Sequence, residues 1–400
     1  MSLRYFKRMS AHQEPTYVHS WGILSLVVLC LFSGVLIQPA GAQDKPPAPP
    51  PDVVVFKNGD QLTGTLVRGE GTNIIFKSDI VGEVTIALDK VKELRSKGSF
   101  VVLKKDEQVS RATRQPGNIA VSDENVTLAY PTGAPVTVPD KNLGFIIDTA
   151  TYNKEVLENP SFWHGWNGSI TGGATVLEST SFGQTLTAEI ALIRTIPTVP
   201  YLPRRTRTTF NLSETYGKLT QPTVPQTVPP TPDSVAKTHI FHTDFEHDKY
   251  FTDRWYALGG FGFDHNFSQG LDFAQIYGVG IGWTAIKDAK QELDLKADIH
   301  YQRQNFTPPT PNEDLIGSSF GEAYTRTLPG KMLFTQSGTF IQSWNNTNAW
   351  SAIAAAGLAL PVYHRFSLSV SILNNYLNNP ALGFKNNSFQ FVSGVTYTLH

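Results

Sequence analysis

The sequence has almost no cysteine and few charged residues. Its one cysteine, Cys30, lies in an apolar run near the N-terminus, so a chain that has lost this run contains no thiol. That excludes disulfides, thiolate metal sites and a catalytic cysteine from such a mature protein. Charged residues make up 17% of the chain, and 32 Gly and 26 Pro favour a β-rich protein with many turns over a helical one.

Long apolar runs are missing after residue 37. No later stretch approaches the roughly 20 apolar residues that a membrane helix requires, so any membrane role has to be performed by strands. The chain also has no excess of basic residues, because without residues 1–42 it contains 30 basic and 33 acidic residues. This balance argues against a nucleic-acid partner, and we expect none.

The N-terminus has the plan of a secretory signal peptide. Three basic residues precede the apolar run Trp21 to Ile37, and QPAGA follows at 38–42 with alanine at both positions of an A-x-A cleavage site. We therefore expect residues 1–42 to be removed and residues 43–51, which include PPAPPP, to form a stiff proline-rich linker. The alternative is a retained membrane anchor, because the apolar run nearly spans a bilayer.

Residues 52–150 are expected to form a small β-domain. Short apolar-polar alternations are separated by turn signals, and Asn58-Gly59 is the clearest hairpin signal because both residues accept positive φ. The strand candidates are 53–56, 62–67, 73–77, 83–88 and 99–104, then a second set at 118–121, 125–130, 136–138 and 143–147.

Four segments of this region, FKNGDQLTGTLV, IIFKS, VTIALDKVKEL and FVVLKK, carry a resemblance. They resemble the small Sm-like β-domain found ahead of some bacterial outer-membrane barrels. The resemblance implies a periplasmic location for residues 52–150. It does not transfer RNA binding to this chain, since a secreted, mildly acidic segment lacks the basic groove that RNA requires.

Residues 160–400 contain longer alternating segments, of the length that transmembrane β-strands need. In the clearest one, 291–303, apolar residues occupy most odd positions and charged or polar residues the even ones. The last segment also alternates and runs to the C-terminus, as the strand that closes a barrel does. Twelve strands are predicted: 166–178, 182–194, 207–217, 236–249, 254–267, 270–284, 291–303, 315–328, 331–344, 347–359, 363–374 and 387–400.

The lengths of the connections favour a barrel over a soluble sandwich, whose strands would alternate in the same way. Long polar connections at 218–235, 305–314 and 375–386 fall on one side, and tight turns such as 251–253 fall on the other. That asymmetry is typical of outer-membrane barrels, although the connection 196–205 is longer than the rule allows. The predicted fold is all-β: a small N-terminal β-domain followed by an antiparallel transmembrane β-barrel of about twelve strands.

Large aromatic residues lie near the ends of the predicted strands. Aromatic side chains with a polar group suit the two interfaces of a membrane, although strands are enriched in aromatics generally. The interfacial candidates are Trp163, Trp166, Trp255, Trp283, Trp344 and Tyr397.

Three further segments carry a family resemblance: WNGSITGGATVLESTSFGQT, THIFHTDFEHDKYFTDRWYALGGFGFDHN and the closing GVTYTLH. Over residues 160–400 the chain resembles the bacterial family of unknown function that includes proteins described as salt-induced outer-membrane proteins. The resemblance implies an outer-membrane barrel of unassigned activity. The chain departs from that pattern in its proline-rich loop and in ending on His400, where such barrels more often end on an aromatic.

Charged residues alternate along two of the predicted strands. Imidazole and carboxylate groups on one face of 238–250 could line an aqueous lumen, hold a divalent cation or act as an acid-base set. Successive residues on one face are about 7 Å apart, so one strand alone cannot complete a coordination shell. The lumen-lining candidates are His242, Asp244, Glu246, Asp248, Glu292, Asp294, Lys296, Asp298 and His300.

Two other patterns could indicate a hydrolase or a phosphate-binding site. Some outer-membrane barrels are hydrolases, and the nearest serine and histidine candidates are His265 with Ser268 and His364 with Ser367. The GVGIG run at 278–282 lacks the strand-to-helix context of a phosphate loop, so strand glycines that ease barrel curvature are the better interpretation.

The sequence therefore predicts a bacterial outer-membrane protein whose N-terminal domain lies in the periplasm. A narrow channel or a structural envelope protein is the first hypothesis. The alternatives are a barrel-anchored periplasmic scaffolding or binding module and an outer-membrane hydrolase. We expect no enzyme activity, cofactor, metal or catalytic residue; the expected partners are outer-membrane lipid, the barrel-assembly machinery and a periplasmic protein.

Overall fold

The computed structural model describes residues 51–105, 107, 109, 113–158, 160–178, 181–221 and 233–399, without the side chains of residues 177 and 178. The expected signal peptide, all but the last residue of the linker, and His400 lie outside these residues. Within them no helix is both long and apolar enough to cross a membrane.

The first nine strands form one curled sheet. Its order is β4-β3-β2-β1-β5-β6-β7-β8, and β9 pairs with both β2 and β5, so these two strands with β1 and β9 close a small ring. Two 3-10 turns, Leu88–Lys90 and Asp140–Asn142, precede β5 and β9. The strands are β1 Asp52–Phe56, β2 Gln61–Glu70, β3 Asn73–Ser78, β4 Gly82–Ala87, β5 Val91–Lys104, β6 Gly117–Ser122, β7 Asn125–Ala129, β8 Val136–Pro139 and β9 Leu143–Asp148.

The sheet encloses an apolar core around Val54, Leu66, Phe76 and Leu94, which are at most 2% exposed. The two strand sets expected from the sequence are thus one sheet, hereafter the β-domain. The predicted strand 99–104 is only the second half of β5, because the strand begins at Val91, and Val91 and Leu94 already lie in the core. A short helical segment, Thr149–Thr151 continuing as Tyr152–Leu157, then leads to the barrel.

Twelve antiparallel strands form a closed barrel, in sequence order from β10 to β21, which confirms the predicted fold class. Two 3-10 turns, Phe267–Gln269 and Pro329–Lys331, connect β14 to β15 and β17 to β18. The strands are β10 Trp166–Glu178, β11 Phe182–Ile196, β12 Thr206–Gln221, β13 Ser234–Tyr250, β14 Trp255–Asn266, β15 Leu271–Lys287, β16 Gln291–Phe306, β17 Glu313–Thr327, β18 Leu333–Ser343, β19 Trp350–Tyr363, β20 Phe366–Leu377 and β21 Asn387–Leu399.

The seam between the first and last barrel strands is short. β10 pairs with β11 along its whole length but with β21 only from Gly168 to Gly172. We call the end of the barrel at which β10 begins the domain end, since the β-domain precedes it, and the opposite end the far end. The predicted loop 218–235 is shorter than expected, because β12 and β13 stay paired as far as Gln221 and Ser234.

Candidate functional site: the barrel lumen

On most barrel strands the alternation separates a largely apolar outer face from a more polar inner face. On β16 the odd-numbered Leu295, Ile299 and Tyr301 are exposed, whereas the even-numbered Asp294 and His300 are buried. In a closed barrel the exposed apolar parity faces outward and the buried polar parity faces the lumen. The lumen is therefore the place where this chain concentrates polar chemistry.

All nine predicted lumen-lining residues have the inward parity of β13 or β16. The structure brings some of them together across the lumen, although two other strands separate β13 from β16 in the ring. Lys296 Nζ lies 2.6 Å from Glu246 Oε1, which joins the two strands directly. Asp248 and Asp294 meet through a third residue, Arg207 of β12, which the sequence analysis did not single out.

Arg207 is the centre of a buried ion-pair network at the domain end. Its guanidinium donates from Nε to Asp248 Oδ2 at 2.7 Å and from Nη1 to Asp294 Oδ2 at 2.5 Å. Nη1 also lies 3.3 Å from Glu292 Oε1, and both Nη atoms of Arg204 donate to that carboxylate at 2.6 Å. We call these five residues the ionic bridge; it connects β12, β13 and β16 across part of the lumen.

Burial makes the ionic bridge sensitive to the loss of any partner. Arg207, Asp248 and Asp294 are each at most 5% exposed, and the guanidinium lies 5.0 Å from the ring centre of Tyr256. Thr284 Oγ1 donates to Asp294 Oδ1 at 2.6 Å, which satisfies the second oxygen of that carboxylate. A buried charge that loses its partner is strongly destabilising, so these groups hold each other in place.

Glycines on β14 and β15 leave room for these long side chains to meet. Gly260, Gly278, Gly280 and Gly282 have the inward parity, and the register places them between the inward residues of β13 and those of β16. A Cβ on Gly282 would overlap the ring of Tyr256, and one on Gly280 would meet Asp298 Cβ at 2.8 Å. The GVGIG run is thus a bare part of the inner wall, over which residues of β13 and β16 reach one another.

Further from the domain end, two histidines bind carboxylates inside the lumen. His242 lies between two aspartates, with Nδ1 2.6 Å from Asp264 Oδ1 and Nε2 2.9 Å from Asp244 Oδ1. His300 Nδ1 lies 2.8 Å from Asp298 Oδ1, and Ser319 donates to the other oxygen of Asp298. All the predicted lumen-lining residues therefore bond to partners on strands β12 to β17 or in the turn before β12.

The opposite inner wall has a different chemistry. Inward positions of β18 to β21 are hydroxyl, amide, glycine and apolar residues, as in Ser367, Ser369 and Ser371 of β20. Around the seam the hydroxyls of Ser369, Thr396 and Thr171 form a hydrogen-bonded row, with distances of 2.9 and 2.8 Å. The lumen is therefore acidic on one side and neutral on the other.

The connection between β20 and β21 lies across the far end of the lumen. This segment, residues 378–386, is hereafter the lid. Its Ala381 N–H donates to Gln269 O on the β14–β15 turn at 3.1 Å, and five strands separate β15 from β21 in either direction around the ring. A segment that bonds to the opposite side of a ring crosses its opening.

Apolar packing and amide hydrogen bonds hold the lid. Gln269, which is 1% exposed, donates from Nε2 to Asn375 O at 3.1 Å and to Asn386 O at 2.7 Å. Gly270 has φ +65°, and a Cβ there would overlap Ala381 and Phe384. The apolar cluster under the lid consists of Leu271, Ala274, Phe306, Leu377 and Ala381, with Phe384 packed against it.

The long connection between β11 and β12 contacts the β-domain. We call residues 197–205 the docking turn. Its Leu202 is 3% exposed and packs into a cluster with Leu103, Ile147 and Val156 of the β-domain and the helical segment. Glu155, also buried, accepts from Thr198 N and Thr198 Oγ1, each at 2.7 Å. This connection, which is longer than the other turns on its side of the barrel, thus has a structural role.

Two adjacent arginines of the docking turn bind in different places. Arg205 donates to the carbonyls of Val156 at 3.1 Å and Glu155 at 2.9 Å, which lie in the helical segment. Arg204 donates to Glu292 of the ionic bridge. Burial opposes the charged form of Arg204, but the hydrogen bonds and charge of Glu292 hold its pKa above the ordinary value. Burial also raises the pKa of Tyr201 to about 12, so this phenol, 4.9 Å below the Arg68 guanidinium, stays neutral.

Five of the six interfacial aromatic candidates lie at or near the domain end. Trp255 and Trp283 stack with ring centres 5.8 Å apart on the outer face, and Tyr397 packs on Phe366. Trp163, 82% exposed, and Trp166 contact Phe162 on either side. Trp344, after β18, is at the far end, where Nε1 donates to Ser318 Oγ at 3.2 Å.

The candidates for other chemistry have different surroundings. His265 lies beside His239 and bonds to the Asp272 carbonyl, and His364 packs edge-on against Tyr363. Among the described residues no group of three or more histidines or carboxylates is arranged to hold a metal ion. Sequence reasoning missed Arg207, Arg204 and Gln269, of which only Arg207 had a usable signal: its inward parity on β12.

Comparison with known proteins gives a match to one family model over about half of the chain, and no activity. Residues 203–399 match the family described as "Protein of unknown function, DUF481", which confirms the resemblance to an outer-membrane family of unknown function. A search of curated proteins gave no match.

Solved structures similar to this chain include three barrels. A NanC porin structure is 10% identical, with 58% of this chain and all of the porin covered and a TM-score of 0.34. The translocator domain of autotransporter NalP from Neisseria meningitidis is 13% identical, with 58% and 87% covered and a TM-score of 0.30. The CymD monoaromatic hydrocarbon channel is 7% identical, with 75% and 85% covered and a TM-score of 0.27.

Proposed function

We propose that the barrel is a cation-preferring channel of the bacterial outer membrane, closed in the state described here. The β-domain lies in the periplasm, and the lid faces the outside. The apolar outer parity of the barrel strands supports the membrane location, since lipid-facing residues of such barrels are apolar.

The excess of inward carboxylates is the observation on which the proposal rests. Inside the barrel Arg207 and Lys296, even with Arg204 and Lys287 beside Glu292 at the domain end, are outnumbered by acidic side chains, which lie on β11, β13, β14, β16 and β17. Rings of acidic side chains favour cations in channels, and low-dielectric walls focus their field. The inward acidic residues are Glu189, Asp244, Glu246, Asp248, Asp264, Glu292, Asp294, Asp298 and Glu313.

We attribute the closed state to the lid, which crosses the far end of the lumen, and to the ionic bridge, which spans part of the lumen at the domain end. A passive envelope protein with a permanently filled lumen would have no use for more carboxylates than cations on its inner wall, because each buried charge costs desolvation free energy. The channel is therefore the function that best explains the charge.

Replacing the lid tests the proposal. In the variant, residues 379–385 are replaced by Asn-Gly, which leaves the bonds of Asn386 to Leu377 and Asn378 in place. In planar bilayers we expect discrete current steps that the native chain lacks, and a reversal potential in a KCl gradient that shows preference for K⁺.

Charge variants supply the matched control. Asp264→Asn with Asp298→Asn, both inward, should reduce the preference for K⁺ in the lid-replaced background. Asp314→Asn, which removes an outward and mostly exposed carboxylate at the Tyr301 hydroxyl, should leave it unchanged. Silence from a lid-replaced protein that also carries Arg207→Gln, and whose gel mobility still shifts on heating as a folded barrel's does, would contradict the channel.

A further inference from the structure

From the placement of Arg204 and Arg205 we infer that the β-domain controls the ionic bridge through the docking turn, so that a docked β-domain keeps the domain end of the channel closed. This inference rests on the proposed channel function. It assigns to the β-domain a regulatory role, and to Arg204 the role of a positioning residue for the bridge.

The first step is that the docking turn is fixed to the β-domain rather than free. Leu202 is buried in the apolar cluster with Val156, and burying a leucine contributes about 1.5–3 kcal/mol. The carboxylate of Glu155 accepts two hydrogen bonds from Thr198, and the Arg205 guanidinium donates two to the helical segment. The turn therefore moves with the helical segment.

The second step is that the same turn is fixed to the bridge. Arg204 forms a two-bond pair with Glu292, a geometry that fixes orientation as well as distance. Glu292 in turn lies 3.3 Å from Arg207, which binds Asp248 and Asp294. Any displacement of the turn removes one cation from a carboxylate that two cations share.

The third step is that no other domain-end connection could do this. The remaining ones are the short turns 251–254, 288–290, 328–332 and 364–365, whereas the docking turn spans nine residues. In the described part of the chain only this turn supplies side chains both to the β-domain cluster and to the ionic bridge. Its unusual length is explained by these two contacts.

The test measures current in the lid-replaced background, so that only the domain end limits conduction. Glu155→Ala and Leu202→Ala each weaken docking without touching the bridge. We expect the open fraction to rise between about 5-fold and 150-fold, the range of common coupling free energies. In an Arg204→Gln background the open fraction should already be high, and neither docking variant should raise it further.

Val126→Ala is the matched control, because Val126 is fully buried in the core of the β-domain but lies outside the cluster that contains Leu202. It lowers the stability of the domain and should leave the open fraction unchanged. A rise with Val126→Ala equal to that with Leu202→Ala would overturn the inference, because loss of domain stability would then suffice.

The two proposals fail in distinguishable ways. If Arg204→Gln raises the current and the docking variants do not, the channel stands and the coupling is wrong. The coupling is also wrong if the docking variants act equally with and without Arg204. If every variant stays silent, Arg207→Gln included, while heat-shifted mobility shows folded barrels, the channel itself is refuted and the inference with it.

Discussion

The lid and the ionic bridge, at the two ends of the lumen, are held by opposite kinds of interaction. At the far end the lid is held by an apolar cluster with Phe384 and by the amide of Gln269, which donates to two backbone carbonyls. At the domain end the ionic bridge is held by the ion pairs around Arg207. The lid and the ionic bridge both connect distant strands of one ring, but the main type of interaction differs between them.

This difference indicates which end of the lumen can respond to changes in salt and pH. Apolar contacts and neutral hydrogen bonds depend little on salt and pH, whereas an ion-pair network depends on the presence of every charge. Only the ionic bridge contacts the docking turn, so the responsive end is also the end that is linked to the β-domain. The three predictions below test this division.

The largest effect is expected from Arg207→Met, which removes the central cation and leaves Asp248 and Asp294 buried beside each other. Breaking a buried ion pair by removing one partner costs about 3–5 kcal/mol. We expect that loss in the free energy of unfolding, measured by urea titration of the refolded barrel. Adding Asp248→Asn and Asp294→Asn to the variant should recover most of it, and an unchanged loss would show that the charges are not the cause.

An intermediate effect is expected from Gly282→Ala, which tests whether the inner wall needs a glycine at this position. The new Cβ would overlap the Tyr256 ring beside Arg207, and overpacking of this kind costs about 1–3 kcal/mol. Gly259→Ala is the control, since its Cβ faces outward and meets Val279 Cγ1 only at 3.9 Å. Equal losses in urea titrations of the two variants would contradict the assignment of Gly282 to the inner wall.

The smallest effect is expected from salt, and it separates the two ends. Raising ionic strength from about 0.1 M to 1 M shortens the screening length from roughly 10 Å to 3 Å. The stability lost in Arg207→Met should shrink by about 1 kcal/mol or less, because the bridge is mostly buried. The loss in Phe384→Ala should not shrink. A loss in Phe384→Ala that shrinks with salt as the Arg207→Met loss does would contradict the comparison.

The outline of the barrel could be predicted because its signal is periodic. Residues 291–303 alternate, and the register of β16 places those side chains as the alternation requires. The family resemblance added no mechanism to this. The extent of β12 and β13 was predicted too short, since Thr220 and Val235 lie in the stretch 218–235 that was predicted as a loop, whereas the structure pairs them directly.

The contacts of the site could not be predicted in the same way. Alternation gives the face of Asp248 and Asp294 but not their common partner, which comes from a strand four places from β16 in the ring. Likewise Gln269 lies in a turn with no periodic signal, and its partners follow it by more than a hundred residues. Such pairs depend on barrel closure, which no local pattern contains.

The short seam gives the barrel a single point of mechanical weakness. β21 holds β10 only from Gly168 to Gly172, although the hydroxyls of Thr171 and Thr396, 225 residues apart in sequence, reinforce it. Contacts between residues so distant in the chain are the slowest to form during folding, so the ring closes last at this point. Under a lateral force the strand pairing would break here first, because fewer backbone hydrogen bonds resist the force.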